Sequence, residues 1–533
     1  MILPILAERK PATLLFGKLL GLLAVIGTVV YLALFVFNVI TRIGHFSPDG
    51  MNYVNVARNI VAGKGITQPT LGFNQKSFPV DAQIPAPLVA NAPLYPMLIA
   101  LVSRLGISST KSALLLSAAA YALIFFFIYR LTAELYDRKV ALTAVGILLF
   151  YEPLRKIGRA ALTDVPGTLF LLLSFWFLLK RRTERKKLFL VLAGLAAGSA
   201  FATRYAFLPL FGVIVLFLLI DCRGWSEKVT EVSLCALGFL LPAGLVWSHN
   251  FATSGSIMPY TVNPPAPALV QRLIETRMLF DRYLGKFAPQ FQVGLLLITV
   301  LVFCCILIAR NEFIRAARDL FLSRRRYILI LWGFGYTSFL IAVWSYSYSS
   351  LEERYLVPIG IALVMLWSAL AIKATRLPMV WVRSAVTVLL VLAISREALI
   401  SKRTPPLDLQ DSVRRSERLT WLANYTSNDD LIIGDNTIDI PFFLNRKATV
   451  SFSSFPYTDR ATYEGVVGYA RKHCREYRNI YLVLRTYPAT EQEWRIWYGD
   501  FFADLVFGHI EKYPDIIVGR PLSDGYIFQI VCL

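Results

Sequence analysis

The chain reads as an α-helical polytopic membrane protein that ends in a soluble α/β domain. Three observations lead there. Hydrophobic residues fill 56% of the 533 positions and mean hydropathy is +0.55, above the range of water-soluble chains. Apolar runs of roughly 14 to 26 residues recur through the first 400 positions, most of them long enough to cross a bilayer. Past residue 401 the runs shorten, and β-rich stretches alternate with polar, helix-like ones.

The first run, Leu14 to Ile40, follows "ERK" and has no small-residue cleavage site, so it is expected to remain as a signal anchor. Further spans are expected near 110–131, 139–153, 162–180, 187–203, 204–220, 229–252, 291–310, 327–348, 354–372 and 380–400, eleven in all. The stretch "APLYPMLIALVSRLG" (92–106) is short and holds two prolines and Arg104. With that stretch read as an interfacial or re-entrant helix, "DRK" (137–139), "KRRTERKK" (180–187), "DCRGWSEK" (221–228), "RNEFIRAARDLFLSRRR" (310–326) and "KATRLPMVWVR" (373–383) all fall on the side of the N-terminal "ERK". Such a basic side is the cytoplasmic one, which explains the net charge of +20 as topology rather than nucleic-acid binding. The C-terminus is then extracytoplasmic, and a bacterial inner membrane is the expected location.

The linker "SKRTPPLDLQDS" separates a membrane domain, 1–400, from an extracytoplasmic α/β domain, 401–533, long enough to bury its own core. Its expected strands are "DLIIGD", "ATVSFSS", "NIYLVLRT" and "GYIFQIVCL", with helices near 411–425, 459–476 and 491–503. Asp435, Asp439 and Asp459 there read as turn residues. Cys474 and Cys532 either pair in a disulfide or stay as two buried thiols. No internal repeat, phosphate-binding loop, dinucleotide fingerprint or metal-ligand spacing is present, so no cofactor is expected and nothing calls for a divalent metal. The run "GLAAGSAFATR" reads as small-residue packing between helices.

With this topology a set of polar residues shares the outer surface. Asp49 and Tyr53 are four apart, on one stripe of a helix beginning after "SPDG". Taken alone, Asp49 is an ordinary helix-start residue that caps. Asp164 lies at the outer end of a span, either as a site residue or paired with Arg159. Arg204 and Arg354 interrupt apolar sequence without polar padding. One such arginine snorkels to the interface; several on one surface suit a phosphate, whose oxygens match the guanidinium fork.

The stretches "DGMNYVNVARNIVAGKGIT", "NAPLYPMLIALVSRLG", "ALTDVPGTLFLLLSF", "GLAAGSAFATRYAFLPL" and "EERYLVPIGIAL", in this order, resemble the GT-C superfamily of membrane glycosyltransferases. The likeness runs over most of residues 40 to 372 and is nearest to the branch of protein O-mannosyltransferases and the aminoarabinose transferases that modify lipid A. The resemblance implies a catalytic pair, Asp49 as acceptor base and Asp164 as the second acid. It implies donor-phosphate contacts at Arg58, Arg159, Arg204, Arg354 and Tyr355, and acceptor or loop contacts at Tyr53, Asn91 and Tyr95. Gly50 stands where many members carry Glu, and Ala92 where the aminoarabinose transferases carry Lys, so Arg58 or Arg159 is expected to supply that cation. The implied reaction moves a sugar from a polyprenyl phosphate to a hydroxyl of a lipid, glycan or protein with inversion, using membrane lipid and no nucleic acid as partner. A polysaccharide ligase or polymerase acting on a polyprenyl-diphosphate glycan is the alternative. A transporter ranks below both, because it needs ionisable groups near the bilayer midplane and these sit at helix ends.

Overall fold

The computed structural model describes residues 10–72, 84–89, 91–184, 186–222, 224–258, 328–333, 335–336, 354, 357–375, 378–435, 437–446, 449–452, 463–485, 490–498 and 500–531. The molecule is mostly helical and divides into two compact units. One comprises Met1–His45, Leu114–Leu245 and Val262–Pro405; the other comprises Phe46–Ala113, Val246–Thr261 and Pro406–Leu533. This differs from a division at residue 401, because the loop after the first span belongs with the C-terminal segment. The physical reason is a β-strand in that loop.

In the first unit, the helix Lys10–Asn38 continues through a π turn, Val39–Ile43, and packs along Met379–Arg403. Asp164–Glu184 and Leu188–Thr203 form a helical hairpin, pinned where Ser174 Oγ donates to the Ala193 carbonyl at 2.7 Å. The hairpin meets Trp225–Ser254 through glycines. A Cβ on Gly194 would fall 1.9 Å from the Cys235 carbonyl oxygen, and one on Gly198 would fall 2.5 Å from that of Phe239. This is the small-residue seam expected of "GLAAGSAFATR".

Among the described residues, four helices are long and apolar enough to cross a membrane: Lys18–Ile43, Ser109–Leu135, Trp225–Ser254 and Met379–Arg403. Leu188–Thr203, Tyr205–Asp221 and Val357–Lys373 are shorter apolar helices. The span expected at 139–153 is instead the 11-residue helix Arg138–Leu148. At 1.5 Å per residue it reaches about 16 Å, short of a hydrocarbon core. Expected span 291–310 and most of 327–348 lie outside the described residues. The stretch 92–106 forms the 10-residue helix Leu94–Ser103, too short to cross a hydrocarbon core.

The second unit is built on a six-stranded sheet. Its strands are β2 (Thr70–Gly72), β4 (Leu431–Asp435), β5 (Thr449–Phe452), β6 (Ile480–Arg485), β7 (Ile516–Leu522) and β8 (Gly525–Ile530), in the order β2-β5-β4-β6-β8-β7. β1 (Thr67–Gln68) and β3 (Ala86–Pro87) pair separately. β2, β5, β4 and β6 are parallel, whereas β8 and β7 join antiparallel. Alternation sorts the side chains. Leu431, Ile433, Ile480, Leu482 and Leu484 join Trp494, Phe501 and Phe502 in one core, while Ile432 and Val483 join Leu419, Leu422 and Ile440 in the other. Burial of both faces explains why "LII" and "IYLVL" read as continuous apolar runs. Cys474 is disulfide-bonded, and Cys532 lies outside the described residues.

Candidate functional site

In the second unit Asp49 sits in the first turn of the helix Pro48–Val61, half-exposed. It is not the cap. Ser47 is, with its Oγ accepting from the Gly50 amide at 3.2 Å, so the ordinary explanation for an acid at this place is already taken by another residue. Tyr53 is 3% exposed and meets Tyr95 edge to face at 5.5 Å between ring centroids. The Tyr95 hydroxyl donates to the Ala113 carbonyl at 3.0 Å. Both tyrosines therefore pack Pro48–Val61 onto Leu94–Ser103, and Asn91 lies half-buried just before the latter helix.

Arg58, expected at a donor phosphate, is turned toward protein. Its Nη1 donates to the carbonyls of Pro441 and Phe442 at 3.2 and 2.9 Å, and its guanidinium lies 5.4 Å from the Phe442 ring centre. Asn55 adds a bond to the Ile438 carbonyl at 3.2 Å. Together they bracket the Asp49 helix to Asp439–Leu444. That helix is held in turn by Asp439, which is no turn residue: it is 4% exposed and its Oδ2 is 2.5 Å from Arg418 Nη2 and 2.6 Å from Arg485 Nη2. Sequence position between a strand and a helix hid this role, because a turn acid and an ion-pair hub look alike until burial is known. Asp459 lies outside the described residues.

In the first unit Asp164 opens its helix and is 4% exposed. Its partner is Arg204 rather than Arg159: Arg204 Nη1 lies 2.8 Å from Asp164 Oδ2 and also donates to Thr163 Oγ1 at 3.3 Å. The hairpin turns both ends to one place, since Arg204 is the extended residue that ends Leu188–Thr203. Hence Arg204 does not snorkel away. It faces an acid at a helix N-terminus, where the backbone dipole also favours negative charge. Arg354 is described, whereas Tyr355 lies outside the described residues.

A second polar group follows from the helix Glu152–Arg159. Arg155 is 1% exposed; its Nε donates to Glu152 Oε2 at 2.7 Å, and its Nη2 bonds the same oxygen. Arg155 Nη1 and Arg159 Nη2 stand 3.7 and 3.5 Å from Glu397 Oε1. Glu397 is fully buried, with Oε2 accepting from Asn38 Nδ2 at 3.0 Å. Lost hydration, then the charges of Arg159 and Lys156, hold the His45 imidazole below its usual range, so it is neutral at pH 7. Sequence reading passed over Glu397 and Asn38. The available signal was an acid inside "VLLVLAISREALI", because an ionisable residue within a span marks a site by default.

Among the described residues, one group of metal-ligand type has its atoms close together: Cys222, Glu227 and Glu231. Arg181 Nη1 lies 2.5 Å from Glu231 Oε2, and the Cys222 thiol donates to the same carboxylate. A guanidinium already supplies the cation there.

Residues 90–247 match the family model described as dolichyl-phosphate-mannose-protein mannosyltransferase. Among solved structures, ArnT from Cupriavidus metallidurans in the apo state is similar at 12% identity and TM-score 0.58, over 97% of this chain and 98% of that one. The same protein bound to undecaprenyl phosphate gives 12%, 0.56, 96% and 98%. The oligosaccharyltransferase AglB from Archaeoglobus fulgidus, in complex with an inhibitory peptide and a dolichol-phosphate, gives 13% and 0.53, over 91% and 72%. No curated protein matches the sequence. The chain thus shares the fold of ArnT and AglB, and the mannosyltransferase family match covers residues 90–247.

Proposed function

We propose that the protein transfers a sugar from a polyprenyl-phosphate donor to a hydroxyl acceptor on the extracytoplasmic side of a bacterial inner membrane, inverting the anomeric centre. The observation that carries the reading is a fold match over nearly the whole chain to ArnT, of which one structure holds undecaprenyl phosphate. The family description, naming a dolichyl-phosphate sugar, points to the same donor chemistry. Cys474 supports the orientation, because disulfides persist in oxidising compartments.

Asp49 takes the acceptor proton as the hydroxyl attacks the anomeric carbon opposite the phosphate. The bond from that carbon to the phosphate oxygen breaks, and the electron pair stays on the oxygen. A phosphate is a weak base, so arginine charge stabilises it without a general acid. Arg159, Arg204, Arg354 and Tyr355 are the proposed phosphate contacts, and Asp164 orients Arg204. Arg58 acts as the bracket of the Asp49 helix. The acceptor is a lipid, glycan or protein hydroxyl reached through the segment that holds Tyr53, Asn91 and Tyr95.

The test is mass spectrometry of the isoprenoid that co-purifies with the protein, paired with transfer assays of Asp49→Asn. A polyprenyl-phosphate monosaccharide, with transfer lost by about 100-fold or more in Asp49→Asn at unchanged expression, is expected. Full activity in that variant removes Asp49 as base. A diphosphate-linked oligosaccharide would replace the transferase reading by the ligase one, which the oligosaccharyltransferase match favours.

A further inference from the structure

That reading uses Arg159 alone of the group around Glu397 and leaves Arg155 and Glu397 without a role. Arg155 and Arg159 stand four apart on Glu152–Arg159, so their guanidiniums leave the same side of one helical turn. Arg155 is almost wholly buried, yet its Nη1 has no hydrogen-bond partner; nor have Nε and Nη2 of Arg159. Both lean on one atom, Glu397 Oε1, at 3.7 and 3.5 Å. These distances suffice for charge attraction but exceed a hydrogen bond. Glu397 is held from the other side, where Asn38 Nδ2 donates to both its Oε2 and its backbone carbonyl, at 3.0 and 2.8 Å.

Charge is in excess as well. Among the described residues, three arginines, Arg155, Arg159 and Arg396, face two carboxylates, Glu152 and Glu397, and Arg396 Nη2 lies 3.5 Å from Glu152. Buried donors without acceptors are costly to leave so. An anion of more than one oxygen would supply acceptors to both guanidiniums.

We infer that Arg155 and Arg159 form the seat of the donor phosphate and that Glu397 is its positioning counterion, splaying the two arginines and limiting how tightly the released phosphate is held. The inference rests on the proposed donor. The phosphodiester of a polyprenyl-phosphate sugar carries one negative charge, and the polyprenyl phosphate left after transfer carries a second. A seat with excess positive charge gains most from that second charge, so it favours bond breaking. It would also trap the product, and the fixed carboxylate opposes this.

The test uses the full-length protein in nanodiscs, probed with undecaprenyl phosphate, undecaprenol and inorganic phosphate, by affinity and by ligand-induced shift in Tm. Arg159→Gln is expected to weaken undecaprenyl phosphate binding tenfold or more. Glu397→Gln, which keeps shape and the Asn38 contact but loses the charge, is expected to bind it about tenfold more tightly. Its Tm should fall without ligand and rise further with it than the wild type's does. In turnover it should lower kcat and donor KM together, and Glu397→Asp should restore part of kcat. A role in folding alone moves Tm and leaves affinity and the ligand-induced shift unchanged. Wild-type binding with both variants unaltered overturns the seat while the donor reading stands. Equal binding of undecaprenol and undecaprenyl phosphate overturns both, and an equal shift with inorganic phosphate alone assigns the site to free phosphate and overturns the seat.

Discussion

Replacing Asp439 by Ala tests how the Asp49 helix is held. In the wild type one carboxylate oxygen serves two arginines, at 2.5 and 2.6 Å, with Arg418 and Asp439 side chains 5% and 6% exposed and Arg485 21% exposed. Removing the acid strands two cations, a loss of about 3–5 kcal/mol when one partner of a buried pair is deleted. Arg485 can partly reach water, which places the expectation near the lower end, at about 3 kcal/mol. Hydrogen exchange measured by mass spectrometry on the full-length protein reads this directly as local opening. At about 1.4 kcal/mol per tenfold, peptides over Asp439–Leu444 and β6 should exchange about 100-fold faster. The effect should spread. Arg58 and Asn55 bond the carbonyls of Ile438, Pro441 and Phe442, so Pro48–Val61 should also lose protection. A change below about threefold in Asp439–Leu444 would refute the ion-pair argument, and a large change there with Pro48–Val61 unmoved would refute the bracket.

Three further outcomes follow from the geometry. Ser47→Ala should destabilise Pro48–Val61 by about 1 kcal/mol, seen as faster exchange in its first turn; no effect would mean that Asp49 caps after all. Gly194→Val should disrupt the seam to Trp225–Ser254, because the new Cβ meets backbone at 1.9 Å; wild-type thermal stability in detergent would refute the close packing. Asp504 gives two pH limits. Burial raises its carboxyl, but bonds from Lys512, Arg495 and Tyr513 outweigh this and hold it below its usual 3.8, so its stabilisation is present above about pH 3.8 and lost as pH falls through the lower folded value. Tyr513, pushed up to about 12 by burial and by its bond to Asp504, stabilises fully below pH 10 and less as pH rises toward 12. Asp504→Asn should shrink both limbs in an exchange-versus-pH series, and unchanged limbs would refute the assignment.

Much of the helical unit was legible because bilayer physics writes itself into long runs. The expected span 110–131 corresponds to the helix Ser109–Leu135, and 229–252 to Trp225–Ser254. Small residues of "GLAAG" announced a close helix contact in the same way. Four strands of the C-terminal sheet, β4, β5, β6 and β8, match the expected runs, whereas β7 was not expected. β2 was not legible: three residues, Thr70–Gly72, become a strand only because β5 offers them an edge. That pairing is non-local, and it moves the first loop from the membrane unit to the other.

At the candidate site the division is similar. The sequence by itself determined which residue types stand at helix ends: Asp49 after a helix-starting Ser-Pro, Asp164 before an apolar run, Arg204 between two runs. Those positions follow from local rules, because charge avoids hydrocarbon and acids suit helix N-termini. Only the tertiary structure decided who pairs with whom. It matched Asp164 with Arg204 across a hairpin, gave the cap to Ser47, turned Arg58 onto backbone carbonyls, and set Glu397 between Arg155 and Arg159 from a helix more than 200 residues away. Distance along the chain hides such pairs, since an ion pair acts over a few ångströms of space and carries no signal in the residues that lie between.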